Sequence, residues 1–259
     1  MKITMVQKRL PFFENVCEEL KKNREAYCQY RGYKFVEDTE PIRENAHWSF
    51  TFLDACLRRL EDDSDDADWI CHTMPAFLFI NFELDLEKEL YAHVQDTHYA
   101  VLPLFKMYNP DAPHYYTNLR GEPEEHMTSE PTPFVSFSCA FFKKNEWSIR
   151  FLRTIRDDPR FTRGVFKNKS IYTQVSSDAL TIYYMGYPEY RKHIATFKAS
   201  TYTALPKFGY PRHLLDLGSD MQIYNEKEKH YIVFITGCGI NPTSSMDIIE
   251  KHKRYITCK

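Results

Sequence analysis

Between Lys2 and Val36 the spacing of apolar residues changes twice, and this constrains the fold more than any other feature of the chain. Residues 2–7 run or alternate apolar as a short strand does, and Pro11 then opens a helical stretch. Within it Phe13, Val16, Cys17, Leu20 and Tyr27 recur at three-, four- and seven-residue spacing and share one face. Glu18, Glu19, Lys21, Lys22 and Arg24 are expected mostly on the other face. Gly32 suits the left-handed residue that ends such a helix, and Tyr33–Val36 returns to a period of two. The pattern then repeats. Trp48, Phe52, Leu53, Cys56, Leu57 and Leu60 mark a helix over about 47–60, and Trp69-Ile70-Cys71-His72 begins a buried strand. This alternation predicts an α/β fold with a mostly parallel central sheet flanked by helices, in which ligands collect beyond the carboxyl ends of the strands.

Between the second helix and the Trp69 strand, Glu61 to Asp68 holds six acids in eight residues. It lacks the glycine and terminal glutamate of a calcium-binding loop, so a solvated connection is expected. From Pro103 to Pro133 the periodicity fades among prolines, histidines and tyrosines, which reads either as a binding loop or lid or as a disordered excursion. Phe134–Phe142 is the next strand, and Asn145 is placed to cap a helix bearing Trp147, Phe151, Leu152 and Ile155, closed by Pro159. A helix near Ser177–Met185 ends at Gly186, residues 231–236 form a late strand, and 244–255 a closing helix.

With 259 residues and no break in composition, one domain spanning 1–259 is the expectation. A net charge of -2 gives no basic field for nucleic acid. Seven scattered cysteines form neither CxxC pairs nor a disulfide framework and read as reduced, mostly buried residues. The first residues are too short for a signal-peptide core and no apolar stretch reaches bilayer length, so no transmembrane segment is expected. Cytoplasmic placement follows, or a trimmed luminal Golgi domain. His72 and Cys71 point to opposite faces of a strand, and His93 and His98 are five apart, so a zinc site is disfavoured.

Several segments carry a resemblance in register. They are Tyr27-Cys28-Gln29-Tyr30-Arg31-Gly32-Tyr33, Trp48, Asp66-Ala67-Asp68-Trp69-Ile70, Phe141-Phe142-Lys143-Lys144-Asn145-Glu146-Trp147-Ser148, Ser177-Asp178-Ala179-Leu180 and Phe234-Ile235-Thr236-Gly237-Cys238. In this order, over about residues 20–255, they resemble the retaining alpha-galactosyl and alpha-mannosyl transferases of fungi, a family that includes plant xyloglucan xylosyltransferases. The resemblance implies a GT-A-like glycosyltransferase domain, a nucleoside diphosphate sugar donor and a glycan acceptor. The donor site is then expected at Met5, Val6 and Gln7, at Met74, Pro75 and Ala76, at Ser136, Phe137 and Ser138, and at Gly237 and Cys238.

Where the family keeps its metal-binding Asp-x-Asp, this chain has Met74-Pro75-Ala76, and Phe234 stands in place of the family's histidine. Phe50 and Gly239 stand where it has lysines, and Ser136-Phe137-Ser138 replaces an asparagine-threonine-glycine strand. Neither Met, Ala nor Phe is a ligand for a hard divalent cation, so no metal cofactor is expected. One reading is a metal-independent transferase that meets the leaving charge with cations and backbone N–H groups. Arg160, Arg163, Lys167, Lys169, Lys251, Lys253 and Arg254 are candidates, or ordinary surface charges. The other reading is an inactive binding or scaffolding module. Asp178 is the candidate catalytic carboxylate, or else a helix-start residue favoured by the dipole.

Overall fold

The computed structural model describes residues 1–11, 14–44, 46–75, 77–107, 114–117, 123–126, 132–162, 175–198, 203–204, 231–234, 242–254 and 256. In chain order, β1 (Ile3–Lys8), α1 (Glu14–Arg31), β2 (Lys34–Asp38), α2 (Thr51–Leu60), β3 (Trp69–Thr73), β4 (Phe77–Phe79) and α3 (Leu86–His93) come first. Five strands follow: β5 (Ala100–Met107), β6 (His114–Thr117), β7 (Pro123–His126), β8 (Thr132–Val135) and β9 (Cys139–Lys143). Then come α4 (Glu146–Asp157), α5 (Pro159–Thr162), α6 (Val175–Gly186), α7 (Pro188–Arg191), β10 (Ile194–Lys198), β11 (Thr203–Ala204), β12 (Ile232–Phe234) and α8 (Pro242–Lys253).

The central sheet runs in the order β2, β1, β3, β9, β5, β10, with β8 added to β5. Strands β2, β1 and β3 are parallel, as the strand–helix–strand start requires, and β10 is parallel to β5. Strand β9 runs against both β3 and β5, which makes the α/β sheet a mixed one. The inner strands β1 and β3 are buried on both faces. Ile3 and Met5 of β1 join one apolar cluster and Val6 the other, and Cys71 and Ile70 of β3 divide likewise, the two-residue period of a covered sheet.

Helix α1 lies on the sheet through Val16, Cys17, Leu20, Tyr27 and Cys28, and Tyr27 stacks on Phe79 at 4.3 Å. It ends at Gly32, whose φ of 73° is the left-handed value that a Cβ would strain. The Asn145 side chain accepts the N–H of Ser148 at 2.9 Å and caps α4. Arg24 departs from its expected place on the solvent face, being fully buried. It follows Leu20 by four and precedes Tyr27 by three, which puts it on the apolar stripe.

Two connections also differ from expectation. The described parts of 103–133 are strands rather than irregular loop: β5 continues to Met107, β6 pairs with β7, and β8 pairs with β5. Of the described prolines, Pro123 opens β7 and Pro133 lies on the edge strand β8, where a missing N–H is tolerated, while Pro103 stands inside β5 opposite Phe197 of β10. The acidic connection is pinned as well as solvated. Asp65 is buried, accepts from Thr4 Oγ1 at 3.0 Å, and pairs with Lys34 at 3.3 Å. Lys144 Nζ donates to the carbonyl of Asp62 at 2.6 Å and also to that of Asp65, so the loop wraps an ammonium group of its own chain.

Candidate active site

At the carboxyl end of β3 the chain turns at Met74 and Pro75 and re-enters a second, small sheet as β4. Strand β12 pairs antiparallel with β4, Phe234 opposite Phe77, so the backbone of residue 234 comes beside the turn. The N–H of Met74 donates to the Ser138 carbonyl at 2.9 Å and binds the turn to the 136–138 segment. That segment is held from inside: Ser136 Oγ accepts the N–H of Ser138 at 3.1 Å, and Ser177 Oγ accepts the N–H of Phe137 at 3.0 Å. The start of α6 is tied in turn to the short 3-10 helix Trp48–Phe50, since the N–H of Ser176 donates to Ser49 Oγ at 3.1 Å. His47 Nδ1 lies 2.9 Å from the same hydroxyl.

Four segments distant in sequence thus meet at one end of the sheet: 47–50, 74–75, 136–138 and 176–178. Three buried polar atoms on or beside them, His72 Nε2, Ser138 Oγ and Ser176 Oγ, have no hydrogen-bond partner among the described residues. Buried hydroxyls and imidazoles normally find one, so water or a ligand is the natural complement here. His72 Nδ1 is 2.8 Å from the Phe137 carbonyl, and the ring lies between Phe52 and Phe137. Burial, reinforced by the charge of Arg24, pushes its pKa down to about 3 against the pull of that carbonyl, so the imidazole is neutral. Asp178 lies in the first turn of α6, partly buried, next to the serine that holds Phe137.

Other expected contacts are placed differently. Met5, Val6 and Gln7 are wholly buried, and Gln7 Nε2 donates to the Cys17 carbonyl at 3.2 Å, so β1 offers a ligand main chain rather than side chains. Ser136, Phe137 and Ser138 are buried too, leaving Ser138 Oγ as the hydroxyl still to be satisfied. Ala76, Gly237, Cys238 and Gly239 lie outside the described residues, as do Arg163, Lys167 and Lys169. Among the candidate cations, Arg160 pairs with Asp158 at 2.5 Å, Lys251 with Asp247 at 2.6 Å, and Lys253 with Glu19 at 2.8 Å and Glu250 at 2.6 Å. Lys251 is thus paired within the closing helix, and Lys253 both within it and with Glu19 of α1.

Two buried cations at this end of the sheet, Lys8 and Arg24, are not among the site residues expected from the sequence. Lys8 pairs with Asp38 at 2.6 Å, and Arg58 takes the same carboxylate with Nε at 2.6 Å and Nη2 at 2.7 Å. Burial raises the Asp38 pKa, and the bonds from Arg58 and Lys8 outweigh it, holding the carboxyl below its ordinary value. The second cation is Arg24, which contacts Gln7, Thr73 and Met74. Its place on the apolar stripe of α1 was the available signal.

A model of the galactosyl transferase GMA12/MNN10 family matches residues 4–244. The chain belongs to this family. Its fold is that of a solved glycosyltransferase involved in the glycosylation of the major capsid of PBCV-1, at 13% identity and a TM-score of 0.57, covering 98% of this chain and 100% of that one. The galactosyltransferase LgtC, in complex with donor and acceptor sugar analogs, aligns at 10% identity and a TM-score of 0.49, covering 100% and 98%. Mouse xyloside xylosyltransferase 1 aligns at 8% identity and a TM-score of 0.46, covering 90% and 96%. Among curated protein sequences none matches the chain.

For a member of the GMA12/MNN10 family, the resemblance implies a divalent cation at the positions of Met74, Ala76 and Phe234. The strand register pairs residue 234 with Phe77 across β12 and β4. The donor set does not fit the ion: a thioether, a methyl and a phenyl group supply neither hard oxygen nor imidazole. Among the described residues no group of three or more His, Cys, Asp or Glu is arranged to hold a metal. No described helix is long and apolar enough to cross a membrane.

Proposed function

We propose that this glycosyltransferase moves a sugar from a nucleoside diphosphate sugar to a saccharide acceptor without a bound metal. The observation that carries the reading is the hydrogen-bonded convergence of 47–50, 74–75, 136–138 and 176–178 beyond the ends of β1 and β3, with unpartnered buried polar atoms on or beside those segments. The nucleotide lies over the main chain at the ends of these strands, where α/β sheets gather their ligands. Ser138 Oγ and Ser176 Oγ meet hydroxyl or phosphate oxygens. Asp178 is assigned to the reacting centre, facing the anomeric carbon or the acceptor hydroxyl. The acceptor approaches from the side of the 103–133 segment.

Incubation with a panel of UDP- and GDP-sugars in the presence of EDTA tests this directly. Hydrolysis or transfer of one donor is the expected result; turnover that returns only with manganese would remove the metal-free clause. A second reading is binding without turnover, in which the fold holds the nucleotide and transfers nothing. Stabilisation by UDP or GDP in a thermal melt, with no donor consumed, would select it.

A further inference from the structure

The wholly buried Arg24 guanidinium spans the carboxyl ends of β1 and β3. Its Nε donates to Thr73 Oγ1 at 2.8 Å, its Nη1 to Gln7 Oε1 at 2.8 Å, and its Nη2 to the Met74 carbonyl. Gln7 is oriented in turn by its own bond to the Cys17 carbonyl, so the fork is fixed on three sides. Taking a guanidinium out of water is costly, and an apolar side chain of similar volume would hold α1 on the sheet more cheaply. Packing alone does not account for it.

Two properties suit it to the turn it grips. The charge cannot be titrated away at any physiological pH, and the rigid fork sets position as well as charge. Its field is also felt around it: it opposes the burial that raises the thiols of Cys17 and Cys28, and it adds to the burial that keeps His72 neutral. The Met74 carbonyl it holds belongs to the turn at which the side chains of 74 and 75 offer a divalent cation nothing.

We propose that Arg24 is the positioning cation of the donor site, clamping the Thr73–Pro75 turn from inside the fold and setting a fixed positive charge behind the Met74–Pro75 peptide, toward the donor diphosphate. This rests on the reading of this end of the sheet as a nucleoside diphosphate sugar site. A preorganised charge in a low-dielectric setting acts on a developing phosphate charge without reorganising, the service a bound metal otherwise gives.

The test compares affinities for UDP and GDP with those for uridine and guanosine, by calorimetry in EDTA, for the wild-type protein and for Arg24→Met, Arg24→Lys and Thr73→Val. Arg24→Met is expected to lose about tenfold to a hundredfold in affinity for the diphosphate, with nucleoside affinity unchanged. Arg24→Lys, which keeps charge without the fork, falls between. Equal losses for diphosphate and nucleoside, or none, would mean that Arg24 only supports the fold, and the inference fails while the functional reading stands. A wild-type protein that binds neither diphosphate fails the functional reading and takes this inference with it. Should Arg24→Met not fold by circular dichroism, Thr73→Val decides, since it frees one arm of the fork and keeps the charge. It is expected to weaken the diphosphate about threefold or more with the nucleoside unaffected, and unaltered diphosphate affinity overturns the proposal.

Discussion

Ser177 Oγ accepts the main-chain N–H of Phe137 at 3.0 Å, and through that bond helix α6 sets the position of the 136–138 segment at the candidate site. Phe137 is fully buried, so no water replaces the hydroxyl once it is removed. Ser177→Ala should therefore cost about 1–3 kcal/mol, the penalty for a buried donor left without an acceptor. Urea unfolding measures it, and a loss near zero would show that the segment is held by its other contacts. Nucleotide binding should weaken in the same variant, because the hydroxyl of Ser138 moves with the segment.

His72 gives the protein an acid-sensitive element. Its neutral form is the one the fold accepts, with a pKa of about 3 in place of the ordinary 6.5, lowered chiefly by burial and then by Arg24, against the pull of the Phe137 carbonyl and, more weakly, of Asp38. Its contribution is present above pH 6.5 and is lost as pH falls toward 3, because the unfolded chain takes up the proton first. Between pH 7 and pH 5 this amounts to about 2 kcal/mol. His72→Leu should lose that part of the pH dependence while neighbouring carboxylates keep theirs. Unfolding curves of both proteins at the two pH values check it, and parallel pH profiles would contradict the assignment.

Lys144 holds the acidic connection by its carbonyls rather than by its carboxylates. Lys144→Met should leave the carbonyls of Asp62 and Asp65 without their donor and lower stability by about 1–3 kcal/mol, or roughly 2–4 °C in Tm for each of these. Adding calcium should not restore the loss, since the loop has no liganding geometry for the ion. A calcium-dependent rise in Tm for the variant would show the opposite.

The local features of the fold were legible because each depends on residues close in sequence. Gly32 ends α1 by its positive φ, Asn145 caps α4, and the apolar stripe from Trp48 to Leu60 gives the 3-10 helix and α2. Pro133 misled for a physical reason: a proline weighs against a strand in isolation, yet an edge strand such as β8 has a side with no ladder bonds to lose. Arg24 misled likewise, since a cation is read as solvent-facing until the acceptors that bury it are known.

The alternation of periods fixed the class of fold, and the ordered motifs fixed the family, since both are written in neighbouring residues. Tertiary structure alone decided that Ser177 reaches Phe137, that residue 234 lies across from Phe77, and that Arg24 closes on Gln7, Thr73 and Met74. Those contacts join residues 17 to 157 positions apart, and their geometry is set by how helices and strands pack, which no local period encodes.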